Sequence, residues 1–231
     1  EYMMDVTVAE FDKPVIALAD GLVIGGGAGL AQACRHVVIS EATRLAMPEA
    51  AIGLFPDAGA SLFFGRCPRA IALYLGICGH FLGAADCLRL GLADAMVPAS
   101  QMAPLQAALM RCETDQIESV IDGFRGDPGA AQLTKMQAVL EHIFSNTDLC
   151  EIQRRAADLA RTTDNELAMG VVQALAEKCP MTHHVYLRLL HEAEAITTLS
   201  DALALDFQLA LKMTMRPDFA EGVRAVLIAK T

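Results

Sequence analysis

Residues 14–20, PVIALAD, form an apolar run that reaches one terminal acid and is stopped by Gly21. A run this short, apolar on both faces and closed by glycine, predicts a buried strand. The same signal returns at residues 36–40, HVVIS, which predicts a second buried strand. Between them lies GLVIGGGAGLAQAC, a glycine-rich turn running into a short helix. Farther on, RAIALYLGICG (69–79) predicts a helix closed by glycine, and AADCLRLGLADAMVP predicts helix, glycine stop at Gly91, then strand. Short strands alternating with helices over residues 14–98 predict an α/β layer structure.

After Pro98 the pattern changes. AAQLTKMQAVLEHIF and MTHHVYLRLLHEAEAITTLSDALALDFQLALKM repeat apolar residues at helical spacing. Gly126-Asp127-Pro128-Gly129 breaks this region, and VRAVLI is the one candidate strand in it. The organisation read from the sequence is residues 1–100, carrying the glycine turn and the acids discussed below, and a helical region at 101–231. The opening EYMMDVTVAEFDKP reads as a helix already under way at Glu1, so residues are expected upstream.

Composition removes several function classes. Lys plus Arg is 18 and Asp plus Glu is 28, a formal charge of −10. Without a basic run, nucleic-acid binding is not expected. A few local cations or helix N-termini can still hold an anionic ligand. The seven cysteines include no C-x-x-C pair, which argues for reduced, mostly buried thiols in a cytosol-like compartment. No apolar run reaches membrane-spanning length, so no membrane partner is expected.

Two stretches carry chemistry. In PEAAIGLFPDAG, Glu49 and Asp57 bracket the apolar run Ala50–Phe55. A carboxylate among Ala46, Met47, Ile52, Leu54 and Phe55 is desolvated, which raises its pKa toward values useful for acid–base work. The same residues also suit plain structure: Glu49 opening a helix after Pro48, and Asp57 serving a turn after Pro56. Gly25-Gly26-Gly27-Ala28-Gly29 places helix-opening amides where negative charge can be held. Equally, it is a tight turn allowing close helix–strand packing. No Gly-Lys-Ser/Thr follows it, and the third glycine of a dinucleotide fingerprint falls at Leu30. His183, His184 and His191 suit a surface or satisfied core role better than a metal site. Ser40 and Ser61 lack a G-x-S-x-G setting. The eleven methionines suit gap-filling in a helical core.

The stretch KPVIALADGLVIGGGAGLAQACRHVVISEATRLAMPEAAIGLFPDAGAS resembles the enoyl-CoA hydratase/isomerase (crotonase) superfamily, and within it the 3-hydroxyisobutyryl-CoA hydrolase group. CGHFLGAADCLRLGLADAMVP and the closing DFAEGVRAVLIAK extend the resemblance over nearly the whole chain. The fold it implies is α/β: the C-terminal part of a crotonase-like ββα superhelix, followed by a mostly helical region that covers the site and supplies subunit contacts of a homo-oligomer.

The resemblance also implies roles. Gly26 matches the residue whose N–H forms half of an oxyanion hole for a thioester carbonyl, and one such donor typically contributes roughly 2.7–4 kcal/mol. Glu49 matches the catalytic glutamate, Asp57 an aspartate that orients the substrate hydroxyl, and Glu1 a further active-site glutamate. Gly25 and Gly27 flank the oxyanion donor, and Ile52, Leu54 and Phe55 form the acyl wall. The substrate is an acyl-CoA thioester, CoA belongs to the substrate, and no separate cofactor or metal is implied.

Hydratases carry a second glutamate where this chain has Gly29 and a small residue where it has Asp57, so both positions point to hydrolysis. The chain departs from the superfamily in lacking its N-terminal half, which supplies the first strands, the other oxyanion N–H and much of the CoA cradle. Ala229 stands where hydrolases more often have Asp, and there is no Trp. A fragment of this kind is expected to turn over weakly or not at all alone. An enoyl-CoA hydratase or isomerase, and a crotonase-like chain kept for binding or assembly, are the competing readings.

Overall fold

The computed structural model describes residues 1–230. From the start the chain forms helix α1 (Tyr2–Ala9), strands β1 (Ile16–Ala19) and β2 (Leu22–Ile24), helix α2 (Gly26–Ala33), and strands β3 (His36–Ile39) and β4 (Arg44–Ala46). A 3-10 turn at Glu49–Ile52 leads to α3 (Ala60–Gly65), α4 (Arg69–Cys78), α5 (Ala84–Arg89) and β5 (Ala95–Met96). The rest is helical: α6 (Ala99–Leu109), α7 (Ile117–Asp122), α8 (Leu133–Phe144), α9 (Leu149–Thr163), α10 (Glu166–Glu177), α11 (Pro180–Glu192), α12 (Leu199–Thr214), α13 (Pro217–Gly222) and a π-helical end, Val223–Ala229.

Two compact units result. The first comprises Glu1–Ala46 and Phe81–Gln132, the second Met47–His80 and the chain from Leu133 on.

In the first unit the strands form two ladders. β1, β3 and β5 make a parallel sheet with Ile16 opposite His36 and Val38 opposite Ala95. β2 and β4 pair in parallel, Leu22 opposite Arg44, and Leu45 exchanges backbone hydrogen bonds with Leu82 at 3.0 and 2.8 Å. Two successive rungs, β1–β2 and β3–β4, therefore contribute one strand to each ladder, and β5 extends the first ladder alone. The corners between ladders are polar and satisfied within the protein: Ser40 Oγ donates to Asp20 Oδ1 at 2.5 Å, and Thr43 Oγ1 donates to the Ala19 carbonyl at 2.9 Å. Val38, Ala95, Val97, Leu105, Ile117 and Ile121 make the apolar core here, joining β3 and β5 to α6 and α7.

In the second unit α4 packs on α8 and on α11, and α9 packs on α10. Gly79 closes α4 in the left-handed conformation, at φ 59°. Tyr186 of α11 is fully buried, and its hydroxyl donates to the Ala72 carbonyl of α4 at 3.2 Å. Its ring takes the space where a side chain on Gly76 would stand.

Several expectations change. Leu22–Ile24 and Arg44–Ala46 are strands that the sequence reading missed, and β1 is half-buried, not buried. VRAVLI is helical: a segment without neighbouring strands satisfies its amides internally, and Val226, Leu227 and Ile228 stay exposed. Among the cysteines only Cys67 and Cys87 are buried, Cys150 is exposed, and all seven are free thiols. Burial pushes the Cys67 thiol to about 11 and the Cys78 thiol to about 12. His183 is buried while its neighbour His184 and also His191 are exposed. Among the described residues no helix is long and apolar enough to cross a membrane.

Gly76→Ala tests the α4–α11 contact. Alanine gains up to about 1 kcal/mol of helix propensity, but the overlap with a fixed tyrosine ring outweighs it. The expected result is a net loss of about 1–3 kcal/mol in urea unfolding. An unchanged midpoint would contradict this packing.

Candidate active site

In the first unit the glycine cluster makes the corner between β2 and α2. Gly25 sits at φ 55°, ψ −131°, a backbone geometry suited to glycine, and its N–H donates to the Ala46 carbonyl at 3.2 Å. That conformation swings the chain out of the ladder and straight into α2, whose opening turn is Gly26, Gly27 and Ala28. The first amides of a helix have no carbonyl partner within it. Gly25 and Gly26 are half-buried and Gly27 is exposed, while Gly29, where a hydratase-type glutamate was sought, is buried. The Glu1 carboxylate lies directly against Gly26, in the space that a Cβ there would occupy. The structure thus brings together Glu1, Gly25, Gly26 and Gly27. Below them, burial and then the Asp5 charge raise the Cys34 thiol.

In the second unit the acids sit on an irregular segment. Glu49 heads the 3-10 turn after Pro48 and is 7% exposed, Phe55 is fully buried, and Ile52, Leu54 and Asp57 are half-buried. Little of this segment is regular, so its buried backbone groups need partners from elsewhere. Helix α11 and the residue capping its start supply two: the Cys179 N–H donates to the Ala50 carbonyl at 3.2 Å, and Thr182 Oγ1 donates to the Leu54 carbonyl at 3.0 Å. Helix α12 supplies a third, because Asp206 Oδ2 accepts the Gly59 N–H at 2.8 Å. At the end of α13, Gly222 lies so close to Ile52 that a Cβ would stand 2.5 Å from its backbone carbon.

The turn after Asp57 is left-handed at two successive residues, Ala58 at φ 51° and Gly59 at φ 79°. For Ala58 that conformation costs about 1–3 kcal/mol. Asp206 is buried completely. Burial, opposed by the Gly59 hydrogen bond and reinforced by the Asp57 charge, pushes its pKa up to about 7. Burial, reinforced by the charges of Cys67, Glu49 and Asp206, holds the Tyr186 hydroxyl well above the ordinary phenol value. The sequence reading missed Thr182, Tyr186 and Asp206. Their one signal was polar side chains set among the apolar positions of two helices.

Chemically, the first unit offers helix-opening amides with a carboxylate beside them. The second offers two carboxylates on a segment clamped from three helices. Among the described residues, no group of three or more His, Cys, Asp and Glu could hold a metal ion.

A family model described as enoyl-CoA hydratase/isomerase matches residues 1–231. The chain belongs to the enoyl-CoA hydratase/isomerase family. Among curated relatives, it is 34% identical over its whole length to the small ribosomal subunit protein mS47 of Schizosaccharomyces pombe, covering 56% of that protein. It is 33% identical to the mitochondrial 3-hydroxyisobutyryl-CoA hydrolase of Xenopus tropicalis, again over its whole length and covering 60% of the relative. The chain thus spans little more than half the length of these two proteins. An enoyl-CoA hydratase from Rhodobacter sphaeroides superposes with a TM-score of 0.87 at 30% identity, over 99% of this chain and 64% of the other. A carnitinyl-CoA dehydratase from Mycobacterium thermoresistibile gives 0.89 at 24% identity, over 100% and 67%. The fold of this family is the crotonase fold, and the coiled double ladder with a helical C-terminal region is consistent with it.

Two measurements check the site's construction. Gly26→Ala meets only the mobile end of Glu1 and adds a helix former to α2, so the unfolding midpoint should hold or rise while Glu1 is displaced in a crystal structure. For Asp206 the folded pKa, about 7, lies above the ordinary value of 3.8. Between those values the folded state keeps a proton that the unfolded state has released, so stability falls as pH rises through the window. His183, whose pKa burial lowers from 6.5 to about 4, acts in the opposite sense. The comparison is therefore wild type against Asp206→Asn. The stability of the variant relative to wild type should climb from pH 4 to pH 7, and a flat difference would contradict the raised pKa.

Proposed function

We propose that the protein carrying this chain hydrolyses a 3-hydroxyacyl-CoA thioester, with 3-hydroxyisobutyryl-CoA as the substrate, releasing the hydroxy acid and CoA as in valine breakdown. What carries this reading is the state of Glu49: a carboxylate 7% exposed, at the head of a segment clamped by later helices. The 3-hydroxyisobutyryl-CoA hydrolase relatives support the substrate class.

In the proposed reaction Glu49 takes a proton from water as the water oxygen attacks the thioester carbonyl carbon. The carbonyl π electrons move to oxygen, and the Gly26 N–H stabilises that oxyanion. Collapse breaks the C–S bond, and the CoA sulfur leaves with the proton. A variant of the same chemistry has a Glu49 carboxylate oxygen attack the carbonyl carbon directly: the C–S bond breaks, the CoA thiolate leaves and takes a proton from solvent, and water then opens the mixed anhydride to the hydroxy acid and the free Glu49 carboxylate. Asp57 and Glu1 hold the hydroxyacyl end, and Ile52, Leu54 and Phe55 line the acyl group. The chemistry needs no metal or redox cofactor. Free thiols and the mitochondrial relatives suit a reducing compartment such as the mitochondrial matrix.

One competing reading has a specific observation behind it. The mS47 relative is a ribosomal subunit protein, so a chain of this family kept for assembly is the second proposal.

The test uses the intact protein with 3-hydroxyisobutyryl-CoA and with an enoyl-CoA. Hydrolysis of the first, without hydration of the second, is expected. Glu49→Gln should lower kcat by about 100-fold or more with the fold intact. Full hydrolysis by Glu49→Gln would sink the mechanism, and thioester binding without turnover by the wild type would favour the assembly role.

A further inference from the structure

The turn that carries Asp57 is held only in part by its own hydrogen bonds. Ala58 and Gly59 are both left-handed, and an alanine there is strained whatever surrounds it. Within the turn, the Ala60 N–H donates to the Asp57 carbonyl at 2.9 Å, and the Leu62 and Phe63 N–H groups donate to the Gly59 carbonyl at 2.9 and 3.2 Å. The buried Gly59 N–H points the other way. Its acceptor is Asp206 Oδ2, 2.8 Å away and 147 residues later in the chain. Leu199, at the start of the same helix, packs so close that a Cβ on Gly59 would stand 2.7 Å from its Cδ1.

Asp206 is an unusual choice for this place. It is 0% exposed, on a helix whose other buried residues are Ala202, Leu203 and Met213. Its second oxygen, Oδ1, has no hydrogen-bond partner among the described residues. A leucine would fill the same space without a desolvation cost, but would leave the Gly59 N–H without an acceptor. The carboxyl is therefore explained by one bond, and that bond lies two residues from Asp57.

We propose that Asp206 is a positioning residue: its buried carboxyl pins the left-handed Ala58–Gly59 turn and so fixes where Asp57 stands for the substrate hydroxyl. The pin is a property of the fold, and its catalytic consequence rests on the hydrolase reading above. If Asp57 addresses the hydroxyl, loosening the turn penalises hydroxyacyl substrates selectively. A substrate with a plain acyl group has nothing for Asp57 to hold.

The experiment compares intact wild type with Asp206→Asn and Asp206→Leu. Asparagine keeps a carbonyl oxygen to accept the Gly59 N–H, whereas leucine matches the volume without an acceptor. Backbone hydrogen exchange is read at residues 58–63, and kcat and KM are measured with 3-hydroxyisobutyryl-CoA and with isobutyryl-CoA. In Asp206→Leu, exchange at Gly59 should speed by about tenfold or more. There kcat/KM should fall by about 10–100-fold for the hydroxyacyl thioester, and by less than about threefold for the plain one. Asp206→Asn should stay within about threefold of wild type in every readout. Unchanged Gly59 exchange in Asp206→Leu overturns the pin. An equal loss on both thioesters reduces Asp206 to general stability. If the leucine variant does not fold, Asp206→Asn still decides: turnover lost with exchange retained means that the proton, not the position, matters. A wild type that hydrolyses neither thioester ends the hydrolase reading, and the exchange data still judge the pin.

Discussion

A buried backbone group must find a partner, and Glu49–Gly59 is a buried stretch that makes few partners of its own. One 3-10 turn satisfies only part of it. The Ala50 and Leu54 carbonyls and the Gly59 N–H are bonded from Cys179, Thr182 and Asp206. This requirement makes Met47–His80 one compact unit with the chain beyond Leu133, far away in sequence. The later helices are thus part of what gives the acid-bearing segment its conformation. They are more than a cover laid over it, and truncating them would remove bonds that nothing else in the segment replaces.

The clamp also sets the electrostatics. Threonine and a backbone amide satisfy carbonyls without introducing charge, so they hold the segment at no cost in titration. Asp206 differs, because a wholly buried carboxyl with one bonded oxygen favours its neutral form. Its pKa near 7 and the Tyr186 hydroxyl held far above its usual range have one common origin. Carboxyls and a phenol lie near one another where water is excluded, and the neighbourhood disfavours adding further negative charge.

What the sequence disclosed follows from this physics. Continuous apolar runs marked β1 and β3, and glycines placed after amphipathic runs marked the ends of α4 and α5. The strands Leu22–Ile24 and Arg44–Ala46 escaped because three residues are too few for any periodicity, and only pairing to a neighbour defines them. VRAVLI has strand composition but no strand beside it, so the helix won. The acids Glu49 and Asp57 stood out because charge brackets an apolar run. Thr182 and Asp206 did not, since a polar residue inside an amphipathic helix looks the same whether it is bonded to a distant amide or merely tolerated. Sequence pattern reports burial; it does not report the partner that makes burial affordable.

The same distinction bears on what the chain is for. Relatives of this chain carry the names of hydrolases and of a ribosomal subunit protein, and a shared fold fits both. The clamp is neutral between them, because carbonyls must be satisfied whether or not a reaction occurs. Glu49 is not neutral. A glutamine would fill its place with nearly the same shape and without the penalty of desolvating a charge. A base that takes a proton from water calls for the carboxylate. The proposed hydrolysis therefore turns on that one side chain, 7% exposed.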